Sequence, residues 1–246
     1  MNWQTGIVYG PVDSRRLGRS LGVNLAPAGR RACNFACAYC DGRPEDAPGR
    51  TEWPRPIDII ETVDRALATC GEIDSITVAG NGEPTLHPAF APIADELFHL
   101  RARRAPRAKL TLLSNGSTLS RLNVVSSLAR FDTRCIKFDA GDATTFRLVN
   151  RPSLSLGRLI ADLRSVGRLT LQSMFVRDAH GLVDNTVPRA VDAWLDAVAR
   201  IRPEGIDIQT VQRRPIQPSL VKVPSTVLEE IAIRVRSLGV PARVFA

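Results

Sequence analysis

Short β-branched and aliphatic runs alternate along this chain with stretches whose apolar residues recur every three or four positions. The runs at residues 21–26, 75–79, 109–114, 134–139, 168–176 and 205–212 predict six strands, and 242–245 a short terminal one. Between them, residues 57–70 carry apolar side chains at 57, 60, 63 and 67, one face of a helix. Residues 88–102 place Phe90, Ile93, Leu97 and Leu100 on one side, with Pro88 near the start. Further helices are expected at 119–130, from about 140 to 166, at 188–201 and at 225–238. Strand and helix in alternation imply a parallel sheet with right-handed crossovers. Some 20 residues precede the first strand, and a full eight-unit barrel needs about 250. The fold expected is α/β, an incomplete (βα)6 TIM-type barrel. It forms a single domain over 1–246, with residues 1–20 as an N-terminal extension and 21–246 as the barrel core. The active site of such a fold lies at the C-terminal strand ends.

Composition narrows the class rather than the chemistry. Hydrophobic residues make up 44% of the 246 positions and charged residues 24%, ordinary for a globular protein. No stretch reaches the length of a membrane span, and the first residues lack the regions of a signal peptide. A cytoplasmic protein without membrane attachment is expected. The net charge is +8 and lysine is confined to Lys109, Lys137 and Lys222, so arginine dominates. Arg15, Arg16, Arg19, Arg30 and Arg31 would suit an anionic partner, nucleic acid included, or would pair with carboxylates.

The cysteines point to chemistry. Cys33, Cys37 and Cys40 crowd into a loop after the first strand with spacing C-x3-C-x2-C; Cys70 and Cys135 stand apart and are expected as core thiols. Thiolates select zinc, Cu(I) or iron–sulfur clusters. Structural zinc wants four closed ligands, and only three are local here. A [4Fe-4S] cube held by three cysteines leaves one iron open to a small molecule. Zinc with a distant fourth ligand, or an electron-transfer iron–sulfur module, are the non-enzyme alternatives.

Other strand ends carry polar or glycine-rich turns. Gly80-Asn81-Gly82-Glu83-Pro84 follows the second strand, and glycines there let backbone approach a ligand. Ser114-Asn115-Gly116 follows the third. On the fourth, alternation puts Cys135, Lys137 and Asp139 on one face and Ile136 and Phe138 on the other. A Lys and an Asp facing an interior must pair or function, so Lys137 and Asp139 are candidate catalytic residues. Gln172 and Ser173 on strand five, and Gln209 and Gln212 on strand six, are weaker candidates, as contacts to a cofactor or substrate.

The C-x3-C-x2-C spacing, with Tyr39 before the last cysteine, resembles the radical S-adenosylmethionine (SAM) superfamily. Residues 10–23, 80–88, 138–141 with Phe146, Asn150-Arg151-Pro152, and 172–176 resemble the subgroup related to wyosine-tRNA synthetase. The resemblance implies that Cys33, Cys37 and Cys40 ligate the cluster. It implies that the open iron chelates the methionine of SAM, which one electron cleaves to a 5′-deoxyadenosyl radical. By the same resemblance Tyr39 lies near the adenine, residues 80–84 meet the SAM amino group, and Ser114-Asn115 is the ribose-side turn. An external one-electron donor such as flavodoxin or ferredoxin is implied. Wyosine-tRNA synthetase uses a second cluster from upstream cysteines; no cysteine precedes Cys33 here, so one cluster is expected. Three substrate classes stay open: a small metabolite, placed marginally first, tRNA, or a protein as in glycyl-radical activation.

Overall fold

A computed structural model describes residues 4–40, 52–212 and 217–246. Pro44 and Pro48, in the stretch between the cysteine loop and the helix expected at 57–70, lie outside them. The chain packs as two compact units, the first made of Met1–Cys33, Gly42–Ser114 and Thr118–Arg134, the second of Asn34–Asp41, Asn115–Ser117 and Cys135–Ala246.

In the first unit, β1 (Val8–Ser14) runs antiparallel to β2 (Gly18–Val23), and β3 (Ser75–Val78) and β4 (Lys109–Ser114) continue in parallel. Residues 1–20, expected as an extension before the first strand, contain β1, with Gly10-Pro11 inside it. Proline is tolerated there: β1 is an edge strand and its register slips between Tyr9 and Val12. Strand β2 also starts three residues before the apolar run. All four residues of β3 are buried. Its polar side chains are satisfied laterally: Ser20, Thr77, Ser75 and Thr111 form a buried hydroxyl chain with contacts of 2.7, 3.1 and 2.9 Å.

The helices of this unit are α1 (Pro56–Thr69), α2 (Phe90–Arg104) and α3 (Leu122–Ser127), the last followed by a 3-10 turn at Leu128–Arg130. All four apolar residues expected on the α2 face are buried, and Phe90 stacks on Phe131 with ring centroids 6.1 Å apart. Helix α1 is rotated from expectation. It buries Ile59 and Val63, while Ile57 is 56% exposed. Cys70 is not a core thiol. It caps α1, its N–H donating to the Ala66 carbonyl at 2.9 Å, and it is half-buried.

His87 joins the turn after β3 to α2. Its Nδ1 accepts from the Ala89 N–H at 3.0 Å, so Nε2 carries the proton and meets the Pro54 carbonyl at 2.9 Å. Burial lowers its pKa, and the Pro54 carbonyl offsets part of that. A depressed histidine pKa contributes stability above the unfolded value of about 6.5, which is lost as pH falls through the folded value. The thermal midpoint of the wild type should therefore exceed that of His87→Ala by most near pH 7.5. The gap should shrink towards pH 5; a constant gap across that range would contradict a neutral His87.

In the second unit β5 (Thr133–Lys137), β6 (Thr170–Met174), β8 (Gly205–Gln209) and β10 (Ala242–Phe245) are parallel and adjacent in that order. The residues expected as the terminal strand are those of β10. A separate antiparallel pair joins β7 (Arg177–Asp178) to β9 (Leu220–Val221). The helices are α4 (Ala143–Asn150), α5 (Leu156–Val166), α6 (Pro188–Ile201) and α7 (Ser225–Ser237). The helix expected up to residue 166 is two helices. Asp142 caps the first, accepting from Thr144 and Thr145 N–H at 3.0 and 2.9 Å, and Arg151 ends it at φ +44° before Pro152. Core packing runs through Trp194, edge-on to Phe175 at 5.2 Å, whose indole N–H donates to the Phe138 carbonyl at 3.1 Å.

Candidate active site

In the first unit the glycine-rich turn is sewn to the residue before Cys33. Ala32 donates its N–H to the Asn81 carbonyl at 2.9 Å, and its carbonyl accepts from the Glu83 N–H at 2.8 Å. Gly82, at φ +154°, sits so close that a Cβ would overlap the Ala32 carbonyl. Gly80, at φ +140°, presses on the Asn24 side chain in the same way. The Asn81 side chain is a clamp: it accepts from Gln4 N–H and donates to the Gln4 carbonyl, both at 2.8 Å, and to the Pro27 carbonyl at 3.2 Å. Glu83 caps the 3-10 turn Pro84–Leu86. Its buried carboxylate accepts from Thr85 N–H at 3.1 Å, Thr85 Oγ1 at 2.5 Å and Ser114 Oγ at 2.7 Å. One acidic side chain thus ties the end of β4 to the turn after β3.

In the second unit a polar network surrounds the loop that carries Cys37 and Cys40. Asp139, just past β5 and 1% exposed, accepts from the Tyr39 hydroxyl, from Asn150 Nδ2 at 2.5 Å and from Met174 N–H at 2.8 Å. The Lys137 ammonium lies 4.7 Å from the centroid of the Tyr39 ring. It does not form an ion pair with Asp139; the Tyr39 ring links the two. Burial, then the Asp139 charge, pushes the Tyr39 phenol well above its ordinary pKa, so it stays a donor. The Cys37 thiol is also raised by desolvation, with Lys137 lowering it and Asp139 raising it. Asn150 Nδ2 donates to Cys37 Sγ at 3.5 Å. Asn115 donates to Asn34 Oδ1 at 3.0 Å, as does Ser117 Oγ at the same distance, which anchors the loop directly after Cys33.

Strand register sets the remaining candidates. Lys137, Gln172, Asp207 and Arg243 are aligned across β5, β6, β8 and β10, one polar row on one face. Asp207 Oδ1 holds Arg243 at 2.8 Å. Ser173 is fully buried on the opposite face, donating to the Phe138 carbonyl at 2.6 Å. Gln209 is half-buried, and Gln212 contacts the Thr210 carbonyl at 3.5 Å. Cys135 is a core thiol. Of the expected cationic group, Arg31 is buried and Arg19 donates to the Cys70 carbonyl at 3.0 Å.

Cys33, Cys37 and Cys40 are half-buried and in no disulfide, and Cys40 N–H closes a turn onto the Cys37 carbonyl at 3.0 Å. Among the described residues no three His, Cys, Asp or Glu side chains already stand in a metal-ligating group. The fit to an iron–sulfur cluster rests on the donor chemistry: three soft, reduced ligands on one short loop, with an amide donor beside one sulfur.

A family model described as the radical SAM superfamily matches residues 30–221. The chain belongs to the radical SAM superfamily. A UPF0026 protein of Helicobacter pylori (strain J99) is 30% identical over 233 residues, spanning 92% of this chain and 71% of that one, so the chain is also a UPF0026 family member. A radical SAM methyltransferase from Sphaerobacter thermophilus superposes with TM-score 0.66 at 16% identity, over 92% of this chain and 65% of its own. A structure of TYW1 with a lysine-pyruvate adduct bound gives TM-score 0.64 at 13% identity, over 89% and 73%. These likenesses carry the fold, the incomplete α/β barrel expected from the alternation. The protein is a radical SAM enzyme, and members of the superfamily generally use a [4Fe-4S] cluster and SAM. No described helix is long and apolar enough to cross a membrane.

Two polar residues of this site were not singled out as candidates. Asn150 lies in the Asn150-Arg151-Pro152 stretch that supports the family resemblance, which was its only signal. Asn185 donates to the Asp139 carbonyl at 2.9 Å and the Met174 carbonyl at 2.8 Å from a loop without periodicity, and nothing in the sequence marks it.

Proposed function

We propose that this radical SAM enzyme holds one [4Fe-4S] cluster through Cys33, Cys37 and Cys40 and binds SAM beside it, acting on a small polar metabolite. When bound, cluster and SAM together supply a 5′-deoxyadenosyl radical that abstracts a hydrogen atom from the substrate. The observation that carries this reading is the network in which Cys37, Tyr39, Lys137, Asp139 and Asn150 meet within one unit of a chain of this superfamily.

The chain's own residues have separable tasks. The turn at Gly80-Asn81-Gly82-Glu83-Pro84 presents backbone to the SAM amino group, with Glu83 holding that turn to Ser114. Ser114 and Asn115 sit on the ribose side, and Asn115 braces the loop through Asn34. Tyr39 lies near the adenine while its hydroxyl holds Asp139. Lys137 and Asp139 are the charged groups that meet substrate, with Gln172 beside Lys137 in register and Ser173 behind them. A flavodoxin- or ferredoxin-type partner delivers the electron. The tRNA-modifying alternative draws on the net charge of +8 and the likeness to TYW1. It requires binding that weakens steeply with salt.

Anaerobic reconstitution with iron and sulfide should load about four irons per chain. A strong reductant with SAM should then release 5′-deoxyadenosine. Protein that takes up only zinc and never cleaves SAM would sink the proposal in favour of a binding module.

A further inference from the structure

Helix α4 ends against the cysteine loop. Ala36 N–H donates to the Asn150 carbonyl at 3.1 Å and Ala38 N–H to the Val149 carbonyl at 2.8 Å, so the backbone on both sides of Cys37 hangs from the last turn of α4. Phe35 bridges to Pro152 and meets Phe146 edge-on at 5.8 Å. The Asn150 side chain then points back into the loop it carries.

That side chain is 1% exposed and its amide nitrogen has three acceptors in reach: Asp139 Oδ2 at 2.5 Å, Tyr39 Oη at 3.4 Å and Cys37 Sγ at 3.5 Å. Its orientation is set by chemistry, because turning the amide over would put its oxygen against the Asp139 carboxylate. Counting protons assigns the rest. Tyr39 has one hydroxyl proton and gives it to Asp139. Asn150 has two N–H protons: one goes to Asp139, and the second faces the Cys37 sulfur and the Tyr39 oxygen. The Asn150 carbonyl oxygen is meanwhile buried with no partner among the described residues. That is unfavourable for stability, so stability alone does not account for an asparagine here.

We infer that Asn150 is a positioning residue that directs an N–H to the Cys37 sulfur and thereby raises the reduction potential of the cluster. This rests on the proposal that Cys37 is a cluster ligand. Hydrogen bonds to cluster sulfurs are among the terms that set potential, because they stabilise the extra negative charge of the reduced state. By joining Cys37 to Asp139 and Tyr39, the same amide couples the ligand sulfur to the charged groups proposed to meet substrate.

The test compares reconstituted wild type with Asn150→Asp, Asn150→Leu and Asn150→Gln. The aspartate keeps the shape and removes both N–H groups, the leucine removes polarity, and the glutamine retains an amide donor. Iron per chain and the midpoint potential, followed by electron paramagnetic resonance, are read alongside circular dichroism. The midpoint should move to more negative values in the aspartate and leucine variants, further in the aspartate. Reductive SAM cleavage should fall about tenfold or more in both. The glutamine variant should lie nearer wild type. Iron loss in the aspartate and leucine variants with retention in the glutamine variant would also support the inference, since the amide donor is what the first two lack in common and the glutamine keeps. Folded, iron-loaded aspartate and leucine variants with an unchanged midpoint would overturn it, as would iron loss in all three variants with wild-type circular dichroism. A wild type that never holds iron would instead defeat the functional proposal itself.

Discussion

Cys37→Ala, reconstituted anaerobically, is expected to lose essentially all cluster iron and all SAM cleavage, whereas Cys70→Ala keeps both. The two thiols differ in setting rather than in chemistry. Cys37 sits on the loop that also carries Cys40, beside an amide donor and the Tyr39–Asp139 pair. Cys70 ends α1, with its thiol facing the Gly71 carbonyl at 3.5 Å. An alanine at position 70 keeps the backbone N–H that caps the helix, so stability should move by no more than about 0.5 kcal/mol. With one of three thiolates gone, no other described side chain is in place to substitute, and the effect should be all-or-none. Iron analysis and visible absorption of the two variants, purified in parallel, decide the matter. Loss in both would mean that the ligand assignment is wrong.

Gly82→Ala should be the most damaging single methyl addition in the first unit. The backbone there lies at φ +154°, and the new Cβ would overlap the Ala32 carbonyl, which is itself held by the Glu83 N–H. Neither side can yield cheaply, because both are main chain. Strain and overpacking together should cost about 3 kcal/mol or more, or a fall in thermal midpoint of about 6–12 °C for a chain of this size. SAM cleavage should fall further than stability, since the turn that moves is the one proposed to meet the SAM amino group. Gly157→Ala is the matched control. Gly157 lies in α5 with nothing within 4 Å of an added Cβ, and alanine there should be neutral or stabilising by up to about 1 kcal/mol. Thermal melts that fail to separate the two variants would refute the close-contact account.

Much of the fold was legible because its signals are local. The bounds of β4, α6 and β10 match the apolar pattern, and the burial of Phe90, Ile93, Leu97 and Leu100 follows the period of a helix. The misreadings have local causes too. Strand β1 contains Gly10-Pro11, which only an edge position with a bulge accommodates. The rotation of α1 that exposes Ile57 depends on which residues the neighbouring elements press against. Cys70, expected in the core, instead ends α1 and is half-buried, because where that helix stops is decided by packing.

By itself, the sequence determined the alternation of strand and helix and the three-cysteine spacing. It also placed glycine, serine and acidic side chains at successive strand ends. All of these are short-range properties: hydrophobic period, turn chemistry and ligand count act within a few residues. What only the tertiary structure decided is who meets whom across large sequence separations. It put Asn150 on Cys37, Tyr39 between Lys137 and Asp139, Glu83 on Ser114, and Lys137, Gln172, Asp207 and Arg243 in one row. Those pairings follow from strand register and from where helices end, which packing of the whole unit selects. A buried amide or carboxylate takes its role from the partners that packing supplies.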